Sequence, residues 1–234
     1  MDVKDRNVDG VNVTVGSTEI TGRIIVDSSV KVAGFSPANM AVGLVPADSM
    51  PPPLWDHLRS VKVGSDGQFT FKAVPPGAYR IQFAGVSAEV FVSDIRVGQA
   101  SVFNDGILKA TTERTEPVEV TLSAGGGTIQ GSLQTVVPEP RSTGLRQVVL
   151  VPQSPRRENT LLYRLQVFRP EEREFRFLNV PPGQYKVFAF EDLPFGNADM
   201  NAEFMSAYEA LGEPVTVTGT ATVRVSVRLI EPEK

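Results

Sequence analysis

Phe69-Thr-Phe-Lys-Ala-Val-Pro-Pro-Gly-Ala-Tyr-Arg-Ile81 recurs as Phe175-Arg-Phe-Leu-Asn-Val-Pro-Pro-Gly-Gln-Tyr-Lys-Val187, offset by 106 residues, with seven of thirteen positions identical. Three more segments return in the same order. Val42-Gly-Leu-Val-Pro46 matches Val148-Val-Leu-Val-Pro152, Ile20-Thr-Gly-Arg-Ile24 matches Ile129-Gln-Gly-Ser-Leu133, and Val118-Glu-Val-Thr-Leu122 matches Val223-Arg-Val-Ser-Val227. A period of that length is too long for a solenoid repeat and suits a compact domain, so the chain reads as two copies of one unit. The join falls at Ala124-Gly-Gly-Gly127, where consecutive glycines permit a reversal.

Each copy reads as β-sheet. Ser65-Asp-Gly67 is a hairpin signal, and Phe69 and Phe71 then share one sheet face. Pro75 and Pro76 end that strand because they cannot donate to a ladder, and Pro76-Gly77 suits the centre of a type II turn. Tyr79, Ile81 and Phe83 then alternate with Arg80 and Gln82, as on a half-buried antiparallel strand. The same grammar predicts strands over Ile20–Val26, Met40–Val45, Val90–Val97, Val118–Leu122, Gln147–Val151, Leu161–Phe168, Val215–Val217 and Val223–Leu229. Asn201–Leu211 has helical spacing instead, with Phe204, Tyr208 and Leu211 on one face, Gly212 after the last turn and Pro214 as a stop. That face is expected to cover Phe188 and Phe190, which stand where Gln82 and Ala84 stand in the first copy. The fold class is therefore all-β: two tandem antiparallel β-sandwiches with one short helix in the second.

Composition excludes several functions. The 234 residues carry a net charge of −4, which gives no electrostatic footprint for nucleic acid. Cysteine is absent, so disulfides, thiol nucleophiles and cysteine-held metals are absent too. His57 is the one histidine, and no apolar run approaches the roughly 18 residues of a membrane helix. Asp56 adjoins His57 but points to the opposite face of an extended segment, so it is poorly placed to orient the ring as a triad requires. Asn197, Asp199, Asn201 and Glu203 resemble the opening of a calcium loop, which then fails at Ala202 and Tyr208; capping of the following helix explains Asp199 or Asn201 more simply. Gly125-Gly-Gly127 lacks the helix and the Lys-Ser/Thr of a phosphate loop. Glu171-Glu172 and Glu191-Asp192 read as solvated turn residues rather than an acid/base pair, and the arginines from Arg156 to Arg176 interleave with glutamates as a mixed charged face. No catalytic, metal or cofactor residues are assigned. Trp55 and His57, in Pro51-Pro-Pro-Leu-Trp-Asp-His-Leu58, are the candidate contacts for a ligand, because prolines stiffen the loop and Trp55 offers a flat stacking surface; the alternative is that Trp55 and Leu58 cover the sandwich edge.

Gly-x-Phe-x-Phe-x-x-Val-Pro-Pro-Gly-x-Tyr, after a strand Ile-x-Gly-x-Ile/Leu, resembles the carboxypeptidase regulatory-like domain, a prealbumin-like β-sandwich similar to the B-type repeats of bacterial collagen adhesins. The second copy's Tyr185-Lys-Val-Phe-Ala-Phe-Glu-Asp192 and Gly212-Glu-Pro-Val215 are similar to versions in large secreted or surface bacterial proteins, notably acidobacterial ones. The resemblance covers most of 17–232. It implies a first domain over 17–123 and a second over 124–234, and a non-catalytic spacer or interaction module located extracellularly, on the cell surface or in the periplasm. Implied partners are other domains of a longer chain, with a monomeric module and no nucleic acid; the alternative is a carbohydrate- or peptide-binding module using Trp55 or a sheet edge. B-type repeats often carry a Lys–Asn isopeptide bond, but Ile20–Val26 and Ile129–Leu133 lack Lys, and Val118–Leu122 and Val223–Leu229 lack Asn, so none is expected. Val11–Val15 precedes Ile20 as Val118–Leu122 precedes Ile129. Residues 1–16 thus read as a lead-in holding the closing strand of a preceding unit, which makes this the C-terminal part of a longer protein; an edge strand native to the first unit is the alternative.

The pattern places Phe71 and Phe177 in two equivalent cores. Truncating either to Ala is expected to cost about 3–5 kcal/mol by urea denaturation, and a loss under about 1 kcal/mol at both would contradict their burial.

Overall fold

The computed structural model describes residues 16–47, 59–113, 115–134, 145–169, 172–191, 193 and 201–230. Val11–Val15 and the lead-in before Gly16 lie outside them. The first repeat forms β1 (Thr18–Val26), β2 (Ala41–Pro46), β3 (Arg59–Lys62), β4 (Gln68–Val74), β5 (Gly77–Ala84), β6 (Val90–Val97), β7 (Ala100–Ser101), β8 (Ile107–Ala110) and β9 (Val118–Ala124). The second forms β10 (Gly127–Gln134), β11 (Arg146–Pro152), β12 (Arg164–Phe168), β13 (Glu174–Val180), β14 (Gly183–Glu191), α1 (Ala202–Ser206), β15 (Glu213–Val217) and β16 (Thr222–Ile230). Among the described residues no strand of one repeat pairs with a strand of the other.

In the first repeat the order β4-β1-β9-β6-β7 faces the order β3-β2-β5-β8. In the second, β13-β10-β16 and β12-β11-β14-β15 take the same places, joined where Ala189 and Phe190 pair with Leu229 and Ile230. The sandwich is mixed rather than purely antiparallel, because β1 runs parallel to β9 and β10 parallel to β16. First and last strands are remote in sequence, so no hairpin forces them antiparallel. Pairing also moves the last-strand equivalence by two residues. Gly22 faces Val118, whereas Gly131 faces Val225, so Val225 rather than Val223 occupies the place of Val118. A two-residue shift preserves every inward face.

Phe69, Phe71, Tyr79 and Ile81, and their counterparts Phe175, Phe177, Tyr185 and Val187, are all buried. Phe83 is only half-buried. The glycine of each Ile-x-Gly now has a reason. Gly22 pairs with Phe69 and Gly131 with Phe175, and a Cβ at either glycine would overlap the ring that lies across it.

The Pro-Pro-Gly step is not the expected type II turn. Neither Gly77 nor Gly183 has a positive φ; the left-handed residues are Ala73 (φ 53°) and Asn179 (φ 51°). Each sits in a β-bulge, where two residues of β4 or β13 oppose one of β1 or β10. The bulge turns the strand end, and the prolines then carry the chain from one sheet to the facing one instead of back along the same sheet. Tyr79 and Tyr185 close that step, each hydroxyl donating to the carbonyl four residues earlier, on Pro75 and Pro181, at 2.9 Å.

Leu161–Phe168 is a strand only from Arg164, because the Asn159 side chain caps a 3-10 turn over Thr160–Leu162. The helix also ends early. α1 gives way to a 3-10 turn over Glu209–Leu211, so Leu211 is half exposed, and Gly212 is extended (φ −83°) rather than left-handed.

Ala73 is the weaker of the two bulge residues, since Asn tolerates the left-handed region better than Ala. Ala73→Gly is expected to raise stability by about 1 kcal/mol, read as a higher urea midpoint at unchanged slope. Asn179→Ala is expected to lower it, because the Asn179 side chain also accepts from the Gly126 N–H at 3.0 Å. A destabilised Ala73→Gly would overturn this reading of the bulge.

Candidate functional site

Trp55 and His57 lie outside the described residues, as do Asn197, Asp199, Glu171 and Asp192. The remaining candidates have structural work. Asn201 caps α1, its carboxamide oxygen accepting from the N–H groups of Glu203 (2.9 Å) and Phe204 (3.1 Å). Glu191 stands 4.0 Å from the buried Arg146. The Gly126 N–H is taken by Asn179, and a strand follows it. Among the described residues no three His, Cys, Asp or Glu side chains gather as a metal site would need.

Three other places bring residues together. The first is the junction of the repeats. Asn159, fully buried, donates from its amide nitrogen to the Phe103 carbonyl at 2.5 Å, and its amide oxygen accepts from the Leu161 N–H at 3.1 Å. Gly106 packs beside the same side chain, where a Cβ would stand 3.0 Å from the Asn159 oxygen. The Arg156 guanidinium lies 5.2 Å from the centre of the Phe103 ring, and donates to the Pro182 carbonyl at 3.1 Å. That arrangement combines a cation–π contact and one hydrogen bond that cross between the repeats. Beside it runs a groove of about 380 Å³, walled by Phe83, Val90 and Phe91 from the first repeat and Leu162, Leu178 and Pro181 from the second. Arg164 also lines it, and burial holds its guanidinium below the ordinary arginine range.

The second place is the outer face of the β11–β14 sheet. Phe188 and Phe190 are fully buried, in a cluster with Val149, Val151, Tyr163, Leu193, Met205 and Ile230. Tyr208 meets Phe190 edge-on at 5.1 Å and Phe204 at 5.3 Å. Gly212 is needed here for close approach, since a Cβ would enter the Phe188 ring. Met205, the fully buried anchor of α1, was not among the residues expected to make this contact. The run Val148-Val-Leu-Val151 did carry a signal, because an apolar residue at every position means burial on both faces.

The third place ties the helix down. Glu209 accepts from Lys186 at 2.6 Å and pairs with Arg157 at 2.9 Å. Burial alone would raise the Glu209 carboxyl, but the Lys186 hydrogen bond and the charge of Arg157 outweigh it and hold the group below the ordinary glutamate value.

No family model matches the chain. None of the curated proteins matches it either. Among solved structures, the minor pilin of Streptococcus agalactiae is 12% identical with a TM-score of 0.32, over 93% of this chain and 98% of that one. Two B repeat units of the collagen-binding protein of Staphylococcus aureus are 10% identical with a TM-score of 0.32, over 78% and 45%. The TIE protein of Bacillus anthracis is 10% identical with a TM-score of 0.30, over 93% and 34%, so this chain spans about a third of that one. At these identities and scores the likeness carries no argument about activity or partners.

A carboxylate whose folded value is depressed adds stability that is present above its ordinary value and lost as pH falls through the folded one. Wild type is therefore expected to lose more stability than Glu209→Gln between about pH 6 and pH 3, by up to about 1 kcal/mol for so exposed a group. Equal losses in urea melts at the two pH values would remove Glu209 from the account.

Proposed function

We propose that the chain is a non-catalytic spacer or interaction module of a secreted or cell-surface protein. Each repeat, 17–123 and 124–234, is read as one β-sandwich domain of the carboxypeptidase regulatory-like kind that the duplicated turn motif resembles, and their partners as further domains of a longer chain. The observation that carries the reading is the junction. A buried asparagine bonds across it to a backbone carbonyl, and an arginine stacks on the same phenylalanine. Burying a polar side chain is costly unless it is hydrogen-bonded, so Asn159 favours one relative orientation over all those that leave it unpaired. A spacer needs that property, because a hinged pair of sandwiches holds nothing at a fixed distance. The filled cores and the structural roles of Asn201 and Glu191 favour a binding or spacing role over chemistry.

The test is backbone ¹⁵N relaxation of the intact chain. Both repeats are expected to tumble with one rotational correlation time, and the Asn159→Ala, Arg156→Ala double variant to tumble as two bodies while each repeat keeps its fold. Independent tumbling of the wild-type repeats would overturn the spacer reading.

A further inference from the structure

The two repeats spend the chain between matching strands differently. Between β5 and β8 the first repeat forms β6 and β7; between β14 and β15 the described residues of the second form α1 and a 3-10 turn. In the first repeat β6 lies antiparallel on β9, with Asp94 opposite Thr121, Ile95 opposite Val120, Arg96 opposite Glu119 and Val97 opposite Val118. β16 has no such neighbour among the described residues. One edge is held by β10 along Thr222–Arg228, and the other meets β14 only at Leu229 and Ile230. The consequence shows in burial. Val118 is buried (1% exposed), whereas Val225, in its place, is only half-buried, as is Val223; Val227 stays buried like Val120.

We infer that the edge of β16 over Thr222–Arg228, unpaired among the described residues, accepts an extended strand from a partner polypeptide, antiparallel to β16 and in the place that β6 fills in the first repeat. This rests on reading the chain as an interaction module and names the surface and the partner's chemistry. An unpaired edge presents backbone donors and acceptors to any strand of matching register. The first repeat supplies that register. Transferred through the glycine pairing, the positions of Val97, Ile95 and Asp94 fall opposite Val225, Val227 and Arg228. The incoming strand must therefore be apolar opposite Val223, Val225 and Val227. It also meets Arg224, between the first two, and Arg228, just after the last, both exposed, so acidic residues at those places complement the edge. The partner is an acidic strand with alternating apolar residues.

The probe is the acetylated, amidated peptide Ser-Asp-Ile-Thr-Val-Asp-Val, titrated into the ¹⁵N-labelled intact chain. Amide shifts are expected to concentrate in 222–228. A peptide with both Asp residues replaced by Lys is expected to bind about fivefold or more weakly, and one with Pro in place of Ile to give no shifts. The exposed double variant Arg224→Glu, Arg228→Glu is expected to reverse the preference between the acidic and basic peptides, with an unchanged circular dichroism spectrum. Shifts outside β16, equal binding of the two peptides, or no binding at millimolar peptide would overturn the inference. These outcomes leave the spacer reading standing, since that is decided by how the repeats tumble.

Discussion

A sandwich needs a chain that leaves one sheet and enters the other without stranding its backbone polar groups in the core, and here that step depends on one hydrogen bond made twice. The tyrosine after each Pro-Pro-Gly reaches back to the carbonyl of the first proline. The prolines have no N–H to lose at the crossing, the carbonyl is satisfied by the phenol, and the ring itself fills the core below. Burial raises Tyr185 to about 12, so the phenol stays a donor across the neutral range. With the crossing held, β4 and β5 fall in opposite sheets, and the Phe-x-Phe of one faces the Tyr-x-Ile of the other. The ring lying over the paired glycine fixes the register of the first strand against the fourth, because any other residue at Gly22 or Gly131 would displace it.

Much of this could be read from residues. The repeat was visible because crossing, core and first strand each use residue types that few others can replace. What eluded reading was non-local. Ala73 gives no hint of a left-handed backbone, since only pairing with β1 demands a bulge there. The parallel pairing of first and last strands has no signature in either strand. Asn159 looks like any loop asparagine until the Phe103 carbonyl, supplied by the other repeat, gives it a partner. Trp55 and His57 drew attention by their chemistry, while the surface with a structural argument behind it lies in the valine-rich last strand. Its signal was an absence: Val90–Val97 has no counterpart among the segments that recur.

That absence and the aromatic face have one cause. After the crossing strand, the first repeat has only Gln82 and the small Ala84 on its outer face, both exposed, and needs no cover there. Its next segment is free to lie on β9, where Ile95 joins the core and closes the edge. In the second repeat Phe188 and Phe190 replace that pair, and leaving both rings in water would forfeit roughly 3–6 kcal/mol, an upper figure. α1 therefore lies across the sheet, anchored by Met205, and the turn after it adds Tyr208 to the cover and is tied by Glu209 to Lys186 and Arg157. Residues 201–212, which cover the face, are not available to pair with an edge. Two phenylalanines thus draw the helix onto the face of the second sandwich, so that the edge of β16, unpaired over Thr222–Arg228 among the described residues, follows from how the core is covered rather than from a strand left unfinished.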